Sequence, residues 1–185
     1  PLSGPTRGGT EVSISGVNLD VLLESPPVKC DFNGTQVAAT LALASFLSCH
    51  SPVVQTEGDV AIWLRWGDAT LPSVLLFTYY SEPYVQYIHP SLGPTTGGCR
   101  VTISGAKLSV FPNNAVKCRF GTAEPTLAQP ISTNTLVCAT PASSAGMVGV
   151  EVSRNARDFL HETLTFEFFE PPVINEARPS CGPTN

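Results

Sequence analysis

Six cysteines, Cys30, Cys49, Cys99, Cys118, Cys138 and Cys181, carry the widest chemistry in this 185-residue chain. A thiolate attacks carbonyls, ligates metals or pairs as a disulfide. Structural zinc sites call for a close Cys-x-x-Cys pair with a second pair or a histidine motif, and no such spacing occurs. A nucleophile needs a base beside it, yet the three histidines are scattered singly. His50 adjoins Cys49, His89 falls midway along the chain, and His161 sits at a loop or strand start. There is no Ser/His/Asp elbow, no glycine-rich phosphate loop and no paired-carboxylate context. Glu57, Asp59 and Asp68 read as solvated turn positions, not as a calcium site. The expectation is a protein without catalysis, cofactor or metal. What remains for the thiols is pairing or burial.

The elements that would position them are repeated. Pro1-Leu2-Ser3-Gly4-Pro5-Thr6-Arg7-Gly8-Gly9 recurs as Pro90-Ser91-Leu92-Gly93-Pro94-Thr95-Thr96-Gly97-Gly98, an offset of 90 − 1 = 89. The same offset carries Gly16 to Gly105, Cys49 to Cys138 and Phe77 to Phe166. A third copy opens at Pro179-Ser180-Cys181-Gly182-Pro183. Within each repeat the apolar period is two, as in strands with one buried face. Val12 and Ile14 match Val101 and Ile103, and Val28-Lys29-Cys30-Asp31-Phe32 matches Val116-Lys117-Cys118-Arg119-Phe120. Val60, Ile62 and Leu64 match Val148, Val150 and Val152, while Leu75, Phe77 and Tyr79 match Leu164, Phe166 and Phe168. Turn clusters at Asn33-Gly34, Gly67-Asp68 and Pro112-Asn113-Asn114 separate the strands. No segment carries a 3.6-residue stripe of helical length.

Composition agrees with an all-β chain. Hydrophobic residues make up 42%, enough for a core, and charged residues only 14%, so the surface is rich in Ser, Thr, Gly and Pro. Seventeen prolines and fifteen glycines, spread evenly, mark frequent turns. The longest apolar runs, such as Val74 to Phe77, are strand-sized and far short of the ~20 residues that a bilayer-spanning helix needs. No membrane insertion is expected of this segment. Pro1 is not followed by a charged and then an apolar leader region, so a signal peptide is expected upstream. A net charge of −5 with ten unclustered Lys and Arg gives no basic stripe, which argues against nucleic acid as a partner.

In order, Pro-x-x-Gly-Pro-x-x-Gly-Gly, an alternating strand ending Ile-Ser-Gly, Lys-Cys-x-Phe and Cys-x-x-Pro resemble the IPT/TIG domain, twice in full and once in part. The resemblance implies tandem immunoglobulin-like sandwiches of the early-set type, found in plexins, scatter-factor receptors and other surface proteins, and inside cells in Rel-type transcription factors. The expected organisation is a first domain over residues 1–83 lacking its first strand, a second over 84–171, and the start of a third over 172–185. Both ends thus read as cuts. The first repeat departs from the pattern along Leu41 to Leu47, and Trp63-Leu64-Arg65-Trp66 stands where, at the 89-residue offset, the second has Val152-Ser153-Arg154-Asn155.

Cysteine usage chooses between the extracellular and intracellular branches. Cys30 with Cys49 and Cys118 with Cys138 hold equivalent places and have in-phase apolar neighbours, Phe32, Leu47, Phe120 and Leu136. Each pair fits inside a sandwich, where closing such a loop contributes about 3 kcal/mol in the chain-entropy picture. Small secreted domains gain from such staples. The competing reading is four buried thiols. Cys99 and Cys181 stand where the repeat puts Thr10 and Leu92, and either pair with each other or seek partners elsewhere in the chain.

Asn33-Gly34-Thr35 is an N-glycosylation sequon in a predicted turn; the second repeat has Gly121-Thr122 there, without Asn. Trp63 is out of phase with Val60, Ile62 and Leu64 and is expected to face outward, beside Arg65. Counted by strand phase, its equivalent lies on the face of Gly149, Glu151 and Ser153. Such a Trp is a candidate contact for a partner, a neighbouring domain or a sugar ring, unless a loop or the Leu41 to Phe46 region covers it. Trp66 is in phase with the core and is expected to be buried. Tyr80, Tyr84 and Tyr87 with Pro83 and Pro90 predict a stiff, packed junction.

Two functions fit. The chain is either a structural and adhesive module of a cell-surface or secreted array, contacting neighbouring domains or a protein partner, or a module that recognises a glycan or protein through Trp63. A Rel-like dimerisation and DNA-contact role sits poorly with the acidic balance and the paired cysteines.

Overall fold

The computed structural model describes residues 1–23, 27–43, 45–108, 116–160, 164–176, 178 and 182. The turn at Pro112-Asn113-Asn114, His161, and Pro179, Ser180, Cys181 and Pro183 of the third copy lie outside them. The described chain is strands joined by turns, with one short 3₁₀ segment at Leu19–Leu23. Leu19 and Leu22, three residues apart, share one side of that turn and are both buried.

The first unit contains β1 (Ser3–Pro5), β2 (Glu11–Ser15), β3 (Val28–Phe32), β4 (Thr35–Ala38), β5 (Thr40–Leu43), β6 (Phe46–His50), β7 (Gly58–Trp66) and β8 (Ala69–Tyr80). They form two sheets, β1-β8-β7-β3-β4 and β2-β6-β5. The second unit contains β9 (Tyr84–His89), β10 (Leu92–Pro94), β11 (Arg100–Ala106), β12 (Lys117–Phe120), β13 (Thr126–Leu127), β14 (Gln129–Ser132), β15 (Thr135–Ala139), β16 (Gly146–Ser153) and β17 (Thr165–Phe169). Its sheets are β10-β17-β16-β12-β13 and β14-β15-β11-β9. In the second unit β9 pairs with β11, whereas the corresponding edge of β2 carries no strand among the described residues.

Alternation builds each core. Val12, Ile14, Cys30, Phe32, Leu47, Cys49, Ile62, Leu64, Phe77 and Tyr79 point inward in the first sandwich. Their repeats Val101, Ile103, Cys118, Phe120, Leu136, Cys138, Val150, Val152, Phe166 and Phe168 fill the second. Phe32 meets Phe77 edge-on with ring centroids 5.8 Å apart, and Phe120 meets Phe166 at 5.5 Å. The same aromatic pair thus sits at the same place twice, in the geometry that aromatic quadrupoles favour. The repeated glycines have a local cause. Gly8 and Gly97 hold φ of 73° and 76°, and a Cβ at either would come within 2.7 Å of Ser51 O or Pro141 O. Neither position admits a larger residue without moving a neighbouring loop.

Candidate functional site

Each sandwich is closed by one disulfide between its sheets. Cys30 on β3 is bonded to Cys49 on β6, with Cα atoms 6.5 Å apart, and Cys118 on β12 to Cys138 on β15, at 6.4 Å. All four are essentially inaccessible. Cys99 is half-buried against the second core and has no disulfide partner among the described residues. Cys181 is not among them. Below the first staple, the Tyr79 hydroxyl donates to Pro52 O at 3.0 Å. Burial pushes its phenol up to about 12, against a smaller opposing effect of Ser51.

The most elaborate polar cluster lies between the two sandwiches. The chain leaving β16 folds around Asn155, whose Oδ1 accepts from the backbone N–H groups of Arg157 at 3.0 Å and Asp158 at 2.8 Å. This is an Asx-type turn, the local pattern Asn favours. It aims the loop at the first domain. Asn155 Nδ2 donates to Ser3 O at 2.8 Å, and the buried Thr10 hydroxyl donates to Asp158 Oδ2 at 2.6 Å. Arg157 pairs with Glu11. Arg154 is buried, with its guanidinium carbon 4.3 Å from the Tyr80 ring centroid and Nη1 donating to Ser81 O at 3.4 Å. Burial pulls the Arg154 guanidinium below its usual range, while Tyr80 and Glu57 oppose that. Burial pushes the Tyr80 phenol up, reinforced by Asp158.

On the rim of this joint, Lys107 of the second domain meets Glu57 of the first at 3.0 Å. Glu57 also accepts from the Ser81 hydroxyl. The Ser81 hydroxyl first and Lys107 next hold this exposed carboxyl at about 2. Pro83 is buried at the handover, as is Tyr80. Tyr84 and Tyr87 are exposed, which corrects their expected packing into the junction: on β9 it is Val85 that turns into the second core.

Trp63 lies on the outer face of β7, between Asp31 of β3 and Val74 of β8, and is half-buried. Its neighbour Arg65 is engaged within the fold, donating through Nε to Asp31 Oδ2 at 2.5 Å. Asp31 is buried and also accepts from Gly34 N–H at 2.6 Å, which fixes the Asn33-Gly34 turn. Burial alone would raise the Asp31 carboxyl; Arg65 and the Gly34 N–H outweigh it and lower it below its usual range. Trp66 packs against the first core while remaining partly exposed. Asn33, at the turn, is exposed with φ of 47°.

Pairing register also settles which residues correspond. Asp31 faces Trp63 as Arg119 faces Glu151, so Glu151 occupies the place of Trp63, and Arg154 that of Trp66. The 89-residue offset is one too long on this strand. Arg119 and Glu151 form an ion pair at 2.6 Å through Nε, a polar counterpart of the Trp63 face.

A family model for the IPT/TIG domain matches residues 1–79 and again 83–168. The chain belongs to the IPT/TIG family. Both IPT/TIG domains together are similar to Plexin-A2 of Mus musculus, 29% identical over 195 residues covering 100% of this chain and 10% of that protein. Plexin-A4 of Homo sapiens is 28% identical, covering 97% and 10%. The chain therefore spans about a tenth of the length of these curated relatives. Among solved structures, the Plexin A4 full extracellular region superposes with a TM-score of 0.59 at 20% identity, over 94% of this chain and 16% of that one. That likeness establishes the tandem immunoglobulin-like fold.

Sequence reading met Thr10, Arg154 and Asn155 only as repeat equivalents of Cys99, Arg65 and Trp66, did not single out Asp158, and placed none of the four at the joint. The signal that could have found them is Asn155-x-x-Asp158 just after the end of β16, a polar turn in place of the first repeat's Gly67-Asp68 hairpin.

Proposed function

We propose that these two IPT/TIG domains act as a fixed, non-catalytic elbow in an extracellular array, setting the angle between neighbours and presenting surface to protein partners. The observation that carries this reading is the buried Arg154, which reaches from the second domain onto Tyr80 and Ser81 of the first, with the Asn155–Asp158 turn seated on Ser3 and Thr10. Interdomain contacts within a chain are more often loose and wet, and relative motion is the default. A buried, hydrogen-bonded arginine resists that motion, because separating the domains strips it of its partners.

The same geometry extends to a further neighbour. Asn18 and Lys107 are equivalents with the same φ of 57°, and Lys107 lies at the joint. The corresponding end of the first domain exposes Val17 and Val21 beside an apolar groove of about 460 Å³ lined by Leu71, Pro72 and Leu75. An adjacent domain of the same array is the occupant this end fits. Extracellular placement is supported by a buried disulfide in each domain and by the likeness to an extracellular region.

The elbow is tested by pulsed dipolar spectroscopy between one spin label on β4 and one on β13. A single narrow distance is expected, broadening in Arg154→Ala combined with Asp158→Ala. A broad distribution in the unaltered protein removes the reading.

A further inference from the structure

We propose that Asn33 carries an N-linked glycan whose first sugar lies on the outer face of the first domain, over Ala61 and against the ring of Trp63. This rests on the extracellular reading above. The sequon Asn33-Gly34-Thr35 forms a two-residue hairpin turn between β3 and β4, with Gly34 at φ of 99° and open space around it. Asn33, Gly34 and Thr35 are all exposed.

Register fixes what lies beside the acceptor. Asn33 N–H donates to Ala61 O at 3.1 Å, so the turn sits at the end of a row that continues through Ala61 to Leu76. The adjoining row runs Asp31, Trp63, Val74. Diagonal neighbours on a sheet face are about 7–8 Å apart, within reach of an aromatic ring and of a sugar attached to Asn. Ala61 is the small residue of the set, and the proposed sugar lies over it, beside Trp63 on the same strand and Leu76 on the next. Val74 and Leu76 are 59% and 64% exposed, an unusual pair of apolar side chains to leave open on an outer sheet face. A pyranose presents one face of C–H bonds, and stacking that face on an aromatic ring would shelter both.

The second domain serves as an internal control. Gly121 donates its N–H to Gly149 O at 2.8 Å, the same bond that Asn33 makes to Ala61, yet Gly121 offers no acceptor amide. The face beside it carries Gly149, Thr165 and the Arg119–Glu151 pair in place of Ala61, Leu76 and the Asp31–Trp63 row. The acceptor amide and an aromatic at the Trp63 position occur together in the first domain and are both replaced in the second, where the ring nearest this face, Phe159, is taken up by the Arg119 guanidinium at 4.2 Å.

The chemistry is a glycosyl transfer from a lipid-diphosphate-linked oligosaccharide to the nascent chain. Asn33 Nδ2 forms a bond to the anomeric carbon and gives up one proton. The bond from that carbon to the diphosphate oxygen breaks, and the lipid diphosphate leaves with the electron pair. Nothing is oxidised or reduced.

The test is secretion of the two-domain chain from cultured animal cells, with non-reducing glycopeptide mass spectrometry followed by NMR of the attached sugar. The expected result is glycan at Asn33 in most molecules, with both intradomain disulfides formed, and upfield-shifted resonances of the first N-acetylglucosamine. Those shifts should return to their ordinary positions in Trp63→Ala. The spectrum of the unaltered protein already carries the first readout, so misfolding of the variant leaves the test intact. Bare Asn33 in disulfide-bonded protein overturns the proposal and spares the extracellular reading. Ordinary sugar resonances on a glycosylated Asn33 overturn the stacking, and free thiols at Cys30, Cys49, Cys118 and Cys138 overturn both readings together.

Discussion

Arg154 sits over the ring of Tyr80, its guanidinium carbon 4.3 Å from the ring centroid, and both side chains are buried at the boundary between the domains. A cation over a desolvated aromatic ring is worth about 2 kcal/mol, so this contact alone suffices to bias the angle of a two-domain chain.

The burial of Tyr80 at the joint makes it sensitive to alkali, although the Arg154 guanidinium over its ring opposes the effect. Burial first, and then Asp158, raise the Tyr80 phenol above its ordinary value of 10, so the folded chain holds that proton more tightly than the unfolded chain does. The stabilisation is therefore complete below pH 10 and is lost as pH rises through the folded value. Tyr79, at about 12, adds to the same window from inside the first core. Denaturant titrations at stepped pH should show flat stability up to pH 10 and a fall beyond it, shallower in Tyr80→Phe. Identical alkaline profiles for the two proteins would refute this assignment.

At the acid end, Asp31 governs the first domain. Its carboxyl is buried, lies below its ordinary value of 3.8 when folded and is held by Arg65 and the Gly34 N–H. Its contribution is present above pH 3.8 and is lost as pH falls through the folded value. Arg65→Met leaves that carboxylate with one partner fewer, and a cost of about 1–3 kcal/mol is expected at neutral pH. The loss should shrink toward acid, where the carboxyl is neutral. A penalty that stays constant with pH would mean that Arg65 acts through its packing instead.

Much of this architecture is legible in the sequence, and the reason is periodicity. Val12 and Ile14, Cys30 and Phe32, Ile62 and Leu64 declare their faces by alternation, and the second copy repeats each statement. The outward direction of Trp63 follows from the same phase. Arg65 was less legible: its partner Asp31 is 34 residues away, on a neighbouring strand, and only the register brings them together. The joint was not legible at all. Thr10 and Asp158 are 148 residues apart, and Asn155 and Ser3 152, so their meeting depends on the angle between two folded domains, which no local pattern encodes.

Each staple should be separable from the other. Cys118→Ala with Cys138→Ala opens a 20-residue loop, and the chain-entropy picture puts the loss at about 3 kcal/mol in the second domain. The first domain, with Cys30 and Cys49 intact, should keep its own unfolding transition in calorimetry. Because Thr10 and Glu11 remain folded, the joint should still form until the second domain melts. A single merged transition displaced to lower temperature would show the domains to be energetically coupled through the joint.

The glycine pairs offer the sharpest test of the repeat, because neighbouring positions should respond differently for different reasons. Gly97 and Gly98 share a φ of 76°, a region that costs an ordinary residue roughly 1–2 kcal/mol. At Gly98 nothing lies within 4 Å of an added Cβ, so Gly98→Ala should cost about that backbone strain and no more. At Gly97 the added carbon meets Ala142 N at 2.6 Å and Pro141 O at 2.7 Å, both backbone atoms that move only with their loop. Gly97→Ala should therefore be clearly the more destabilising in denaturant unfolding of the second domain. Gly8→Ala and Gly9→Ala should reproduce the ordering in the first, since Gly8 meets Pro52 and Ser51 while Gly9 meets nothing. Equal losses at the two members of either pair would show that backbone conformation, not the close approach of the loop, selects glycine there.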